Sequence, residues 1–185
     1  MYINGIEISS ETLRRRYRLR FKSTQISDQP PTRSELRQIL LASPIHWKAV
    51  FSFLSATGMR PGEALILRIG DLKPHPYDAA EEESVIEVTV PATITKKDFS
   101  YVTFAHPECA KFLADYLRSL EQRGIDVEDP DQPLFYSPRA KAGFFRLNTI
   151  EVAWNNILRK LKLDERIEYP RAVSYTHLTL PTTER

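Results

Sequence analysis

The residues best suited to chemistry lie in one stretch, Ala56-Thr-Gly-Met-Arg60-Pro-Gly-Glu63-Ala-Leu65-Ile-Leu67, followed by Asp71-Leu72. An apolar segment ends there at Gly58, the chain turns sharply, and Arg60 stands at the entrance of a new helix that Pro61 can begin. A guanidinium fork beside unpaired backbone N–H groups suits a phosphate or another oxyanion. Glu63, three residues on, can hold Arg60 in one rotamer. The plainer reading of the same residues is a corner between helices that carries a surface arginine. Downstream, Lys96 and Lys97 stand at a turn, where they touch a phosphate backbone or nothing. Upstream, a run from Leu13 to Lys22 interleaves Arg14, Arg15, Arg16, Arg18, Arg20 and Lys22 with Leu13, Tyr17, Leu19 and Phe21. Such a run can lie along phosphates or snorkel over a groove. His46, His75 and His106 are isolated, without ligand spacing, and read as solvated or capping residues. Asp78 to Glu83 lacks the calcium-loop pattern, and there is no P-loop or dinucleotide fingerprint.

The elements that must position these residues follow from apolar spacing and breakers. A short apolar-polar alternation opens the chain (Tyr2, Ile3, Ile6, Ile8), and Ser27-Asp-Gln-Pro-Pro31 reads as a linker before a domain. Thr32 to Glu35 has capping-box spacing, followed by Leu36, Ile39 and Leu40 at helical intervals. The segment 45–56 is apolar nearly all round, which predicts a central helix closed by Gly58. A short helix follows through Leu67, then a Pro- and acid-rich loop over 73–83. Alternation over 84–90 predicts a strand with Ile86, Val88 and Val90 on one face, and Tyr101 to Phe104 its hairpin partner after a turn at 95–99. Pro107 begins a long amphipathic helix through Leu113, Leu117 and Leu120 that Gly124 ends. Residues 125–147 read mostly as loop. Asn148 with Glu151 is expected to cap a last helix carrying Ile150, Trp154, Ile157, Leu158 and Leu161. The order predicts an α+β, mainly helical domain with a small antiparallel hairpin or sheet at one edge.

Composition bounds what such a domain can be. The 185 residues are 42% hydrophobic and 27% charged, which excludes a mostly disordered or collagen-like chain. One cysteine, Cys109, excludes a disulfide scaffold or cysteine-rich metal site and fits a reducing cytoplasm. No apolar run approaches the roughly 20 residues of a membrane span, and the N-terminus lacks the apolar core of a signal peptide. The formal net charge is only +2, yet it is unevenly spread. Residues 1–50 carry nine Lys/Arg against four Asp/Glu, residues 71–90 one against six, and residues 141–171 seven against four. Phosphate binding needs charge on one face rather than in the sum, so basic ends are compatible with a nucleic-acid partner and equally with ordinary solvated helix faces.

ATGMRPGEAL with the later DL resembles the first arginine box (T-G-x-R-x-x-E-L) of the tyrosine recombinase, or phage integrase, family. The hairpin 84–104 with Ile94-Thr-Lys96-Lys97 at its turn, the helix over 107–123 and the Leu134-Phe135 element agree with that family in order and spacing. PPTRSELRQIL resembles the start of its catalytic domain, especially in archaeal integrases, and the match covers about 31–171. The resemblance implies attack by a tyrosine on a DNA phosphodiester through a 3′-phosphotyrosyl intermediate, with no metal or other cofactor. It implies two arginines on the phosphorane-like transition state and a hairpin lysine as general acid. Carried over, Arg60 matches the first arginine, Glu63 its supporting acid and Lys96 the general acid, with Lys97 its rival. Double-stranded DNA would be gripped by Arg60, Lys96 or Lys97 and the basic segment 14–22, and in the intact family it is held in a C-shaped clamp between an N-terminal helical domain and this one. The intact family recombines in a four-protomer synapse; for this chain a monomer is the alternative.

The resemblance weakens at the carboxyl end. Tyr169-Pro170-Arg171-Ala172 falls where the second box (H-x-x-R) should begin, which puts Arg171 at the histidine position and Ser174 where its arginine belongs. Residues 173–182 (VSYTHLTLPT) share neither the charge nor the helical period of what precedes and resemble translated sequencing adapter. The expected division is therefore a basic N-terminal segment and linker over 1–30, an incomplete catalytic domain over 31–172 and an artefactual tail over 173–185. No nucleophile is assigned in this chain: Tyr175 lies too near the second box and inside the tail. A non-catalytic DNA-binding helical domain is the alternative, and a protein-interaction domain that ignores DNA a third reading.

Overall fold

The computed structural model describes residues 2–3, 6–7, 30–95, 98–140 and 142–163. Tyr2–Ile3 (β1) pairs antiparallel with Ile6–Glu7 (β2). The remainder is mainly helical with a small antiparallel sheet, as the apolar pattern predicts, and that sheet has three strands where the pattern gave two.

Helix α1 spans Arg33–Ala42 and begins at the expected capping box. The Thr32 hydroxyl accepts from the Glu35 N–H at 3.3 Å, and the Glu35 carboxylate accepts from the Thr32 N–H at 2.8 Å. Helix α2, Ile45–Thr57, is buried from Trp47 and Ala49 through Ser55, which its all-round apolarity requires. Gly58 closes it at φ 65°, a left-handed conformation that costs a residue with a Cβ. The one-turn helix α3, Pro61–Ala64, follows with proline at its first position.

The Pro- and acid-rich stretch expected to be loop is structured. Leu72–Lys73 forms a third strand, β3, and Pro76–Glu81 a short helix, α4. The breakers misled because they act here as start signals. Pro76 occupies the first turn, Asp78 adds a carboxylate there, and the His75 ring caps the end by accepting from the Tyr77 N–H at 3.3 Å. Helix α4 packs on α5, Pro107–Glu121, an interaction invisible to local pattern.

Strand β4, Ile86–Val90, lies between β3 and β5, Tyr101–Ala105. Its register sets Val90 opposite Tyr101, Val88 opposite Thr103 and Ile86 opposite Ala105. That register buries Ile86, Val88, Val90 and Ala105 and turns Val102 and Phe104 outward. Helix α5 starts at a His106 cap, whose ring accepts from the Cys109 N–H at 3.2 Å, buries Leu113, Leu117 and Leu120, and packs on α2. Helix α6, Leu147–Leu161, packs on α1. Its cap is Arg146, not Asn148, and no side chain bonds the helix end. The start moved because burial of Ile150, Trp154, Ile157 and Leu158 sets the helix phase, and Leu147 already belongs to it.

The long connection between α5 and α6 is stitched to the segment after α3. Leu134 donates its N–H to the Leu67 carbonyl at 2.9 Å, Ile69 to Gln132 at 2.9 Å and Gly70 to Pro130 at 2.9 Å. A Cβ on Gly70 would stand 2.9 Å from the Pro130 Cβ, so the close approach needs glycine. The stitching buries Leu134 and Phe135, and Phe135 meets Phe53 of α2 edge-on at 5.5 Å between centroids.

Candidate functional site

Arg60 is held from both sides by burial of its neighbours. Met59 and Pro61 are in the core while Arg60 is exposed, its side chain 59% accessible. The turn before it is tied down: the Thr57 hydroxyl donates to the Phe53 carbonyl at 2.8 Å, and the Thr103 hydroxyl of β5 donates to the Thr57 carbonyl at 2.9 Å. The sheet thus fixes the corner from which Arg60 projects.

Glu63 does what its spacing suggested and more. Its carboxylate is buried, with the side chain 7% accessible, and its two oxygens have different partners. Arg60 Nη1 donates to Oε1 at 2.9 Å, and the Tyr101 hydroxyl donates to Oε2 at 2.7 Å. A buried carboxylate is costly unless its lone pairs are satisfied, and a guanidinium plus a phenol satisfy both oxygens. Burial, then the bond to Glu63 and its charge, push the Tyr101 hydroxyl well above the ordinary tyrosine range, so it remains a donor. Among the described residues Glu63 is the only acceptor that Arg60 meets. The rest of its donor fork faces outward, a fixed cation presented to solvent.

One expectation about this corner is narrowed. Glu63 and Ala64 both donate their backbone N–H to the Arg60 carbonyl at 3.0 Å, which leaves only the Gly62 N–H at the start of α3 without a backbone acceptor. Pro61 has no N–H, and a helix of four residues sums few peptide dipoles. The guanidinium therefore carries most of what this corner offers an anion, with the Gly62 N–H beside it.

Lys96 and Lys97 lie outside the described residues, as do Arg171 and the basic segment with Arg14, Arg15, Arg16, Arg18, Arg20 and Lys22. The described flanks of the lysine pair are closed on each other. Thr95 is buried, its hydroxyl donates to the Phe99 carbonyl at 2.9 Å, and the same oxygen accepts from the Phe99 N–H at 3.2 Å. The Phe99 and Tyr101 rings lie side by side, tilted by 50° with centroids 6.1 Å apart. The base of that turn therefore joins the residue that bonds Glu63.

Tyr101, Thr95 and Thr103 were not legible as site residues. Tyr101 falls on the inward face of a predicted strand, but its pairing with Glu63 spans 38 residues and depends on sheet register. Two of the three histidines cap helices as expected; His46 does not. It is half-buried against Trp47 and Phe145, and burial and then the Arg123 charge hold its pKa below the usual value.

No protein-family model and no curated protein sequence matches the chain. Solved structures do, two recombinases among them. The crystal structure of XerA recombinase superposes with a TM-score of 0.55 and 24% identity, covering 80% of this chain and 47% of that one. The XerH site-specific recombinase bound to difH substrate in a pre-cleavage complex superposes with a TM-score of 0.58 and 19% identity, covering 80% of this chain and 40% of that one. The chain thus has a recombinase-like fold and spans less than half the length of either structure. Among the described residues, no helix is long and apolar enough to cross a membrane.

Proposed function

We propose that this domain engages double-stranded DNA through a backbone phosphate at Arg60 and takes part in site-specific recombination by strand cleavage and rejoining. The observation that carries the reading is the buried Glu63 carboxylate, which fixes Arg60 at 2.9 Å and is itself fixed by Tyr101 at the base of the sheet turn. A cation held in one orientation before reaction suits a transition state that gains negative charge, and each such donor is worth roughly 3–4 kcal/mol of barrier. Glu63 is a positioning residue in this reading, and Lys96, with Lys97 its rival, supplies the proton to the leaving oxygen. Arg171 takes the second-box position. The resemblance in the arginine box and the fold shared with the XerA and XerH recombinases support it. A regulator that only reads DNA would instead be expected to present a base-reading helix.

The reading assigns no tyrosine nucleophile to these 185 residues, so the expected behaviour is DNA binding without a covalent product. Fluorescence anisotropy of a labelled duplex at two salt concentrations tests it. The wild type should bind with an affinity that falls steeply with salt, and Arg60→Ala should weaken binding and flatten the salt slope by about one counterion. Salt-independent binding, or an Arg60→Ala curve that overlays the wild type, would contradict it. A suicide-substrate assay that trapped a phosphotyrosyl adduct would overturn the absence of a nucleophile.

A further inference from the structure

A second region has the chemistry of a ligand site and plays no part in the Arg60 corner. Between the start of α2, the end of α5 and the loop leading into α6 lies a cavity of about 630 Å³. That is within the roughly 300–1,000 Å³ of small-molecule sites. Its wall carries three arginines from two separate stretches, Arg123, Arg139 and Arg146, together with His46, Tyr136 and Phe145. The arginines are exposed and the three rings are half-buried, so charge lies on the solvent side and aromatic surface beneath it. Among the described residues, none of the three guanidiniums lies within ion-pair distance of a carboxylate. Elsewhere Arg60, Arg68 and Arg118 each meet one, while the exposed Arg33, Arg37 and Arg159 are not ion-paired among the described residues either, so what sets the cavity apart is that three such arginines line one concavity. The His46 and Phe145 rings are nearly parallel, 13° apart with centroids at 6.4 Å, and so offer aromatic faces aligned in one direction. Tyr136 is positioned from its backbone, whose N–H donates to the buried Tyr116 hydroxyl at 2.9 Å.

Three uncompensated guanidiniums over an aromatic floor match a ligand with a phosphate at one end and a planar ring at the other. We propose that this cavity binds one nucleotide unit, with its phosphate on Arg139, Arg146 and Arg123 and its base on the His46 and Phe145 rings. His46 stays neutral near pH 7, because burial and Arg123 both oppose its protonation, so it serves as a stacking surface rather than a fourth cation. The same chemistry is offered by a free nucleotide and by an unpaired nucleotide of a DNA strand. Arg60 has no role in it.

Trp47 lines the cavity and reports on it by fluorescence. The full-length chain would be titrated with dAMP, inorganic phosphate and a single-stranded oligo(dA) of ten residues. Saturable quenching by dAMP, at least tenfold tighter than by phosphate, is expected. The Arg139→Ala/Arg146→Ala double variant, altered only at exposed side chains, should bind dAMP at least tenfold more weakly with an unchanged circular dichroism spectrum. Phe145→Leu should lose the preference for dAMP over phosphate. Arg60→Ala should bind dAMP like the wild type, which separates this proposal from the reading of the Arg60 corner. If oligo(dA) competes with dAMP, the source is a strand; if only dAMP binds, it is a free nucleotide. The proposal is overturned if neither saturates, if phosphate binds as tightly as dAMP, or if the double variant matches the wild type.

Discussion

At the scale of single residues, Glu63 decides how the candidate site is built. Its two oxygens are shared between Arg60 and Tyr101, so removing either donor leaves part of a buried carboxylate unsatisfied. Tyr101→Phe should therefore lower unfolding free energy by about 1–3 kcal/mol in urea denaturation and should also loosen Arg60, which weakens DNA binding beyond any loss of folded protein. An unchanged midpoint with unchanged binding would show that the phenol is incidental. Cys109 makes a different kind of prediction. It is fully buried at the start of α5, and burial pushes its thiol up to about 12, with Ser52 opposing only in part. The native protein should resist thiol-specific reagents at neutral pH and become reactive only with unfolding, read as labelling rate against denaturant.

At the scale of elements, the corner between α2 and α3 carries the geometry of the proposed site. Gly58 sits at φ 65°, where a Cβ costs about 1–2 kcal/mol. Gly58→Ala should lower the melting temperature and, because it re-aims the next turn, should reduce DNA affinity more than Thr32→Ala does. Thr32→Ala removes the capping box of α1 and should cost about 1 kcal/mol without touching the site. Comparing the two variants at equal stability separates geometry from folding. The hairpin belongs to the same scale. Its register places Tyr101 and Thr103 inward, where they bond Glu63 and the Thr57 carbonyl, so strand pairing and arginine placement are one event.

At the scale of the whole molecule, charge and burial set the response to conditions. His46 resists protonation when folded, first because it is buried and then because Arg123 is near. Above pH 6.5 the imidazole is mostly neutral in both states and contributes nothing to the difference. Below 6.5 the unfolded chain takes up a proton that the folded one refuses, so stability falls as pH falls and levels out once the folded group also titrates. His46→Gln should remove that component, seen as a shallower dependence of melting temperature on pH over the acidic range; parallel curves would contradict it. Two basic regions also stand apart, the Arg60 corner and the arginine-walled cavity, and their variants should affect different ligands.

By itself the amino-acid order determined most of what is local. The Thr32 capping box, Pro61 and Pro107 at first turns, Gly58 after an apolar helix and the alternation of Ile86, Val88 and Val90 each act within a few residues of where they stand, and these elements form where they place them, unlike the last helix, which Asn148 does not cap. The spacing of Arg60 and Glu63 was legible for the same reason: three residues across one helical turn bring the two side chains together. Where local rules had two outcomes, as with the prolines of 73–83, packing of α4 on α5 chose between them. The third strand, the partnership of Tyr101 with Glu63 and the convergence of Arg123, Arg139 and Arg146 with His46 were decided by tertiary structure alone. Those contacts join residues separated by tens of positions. Their existence depends on sheet register and on which helix faces bury against each other, and the energy that selects them is shared across the whole core.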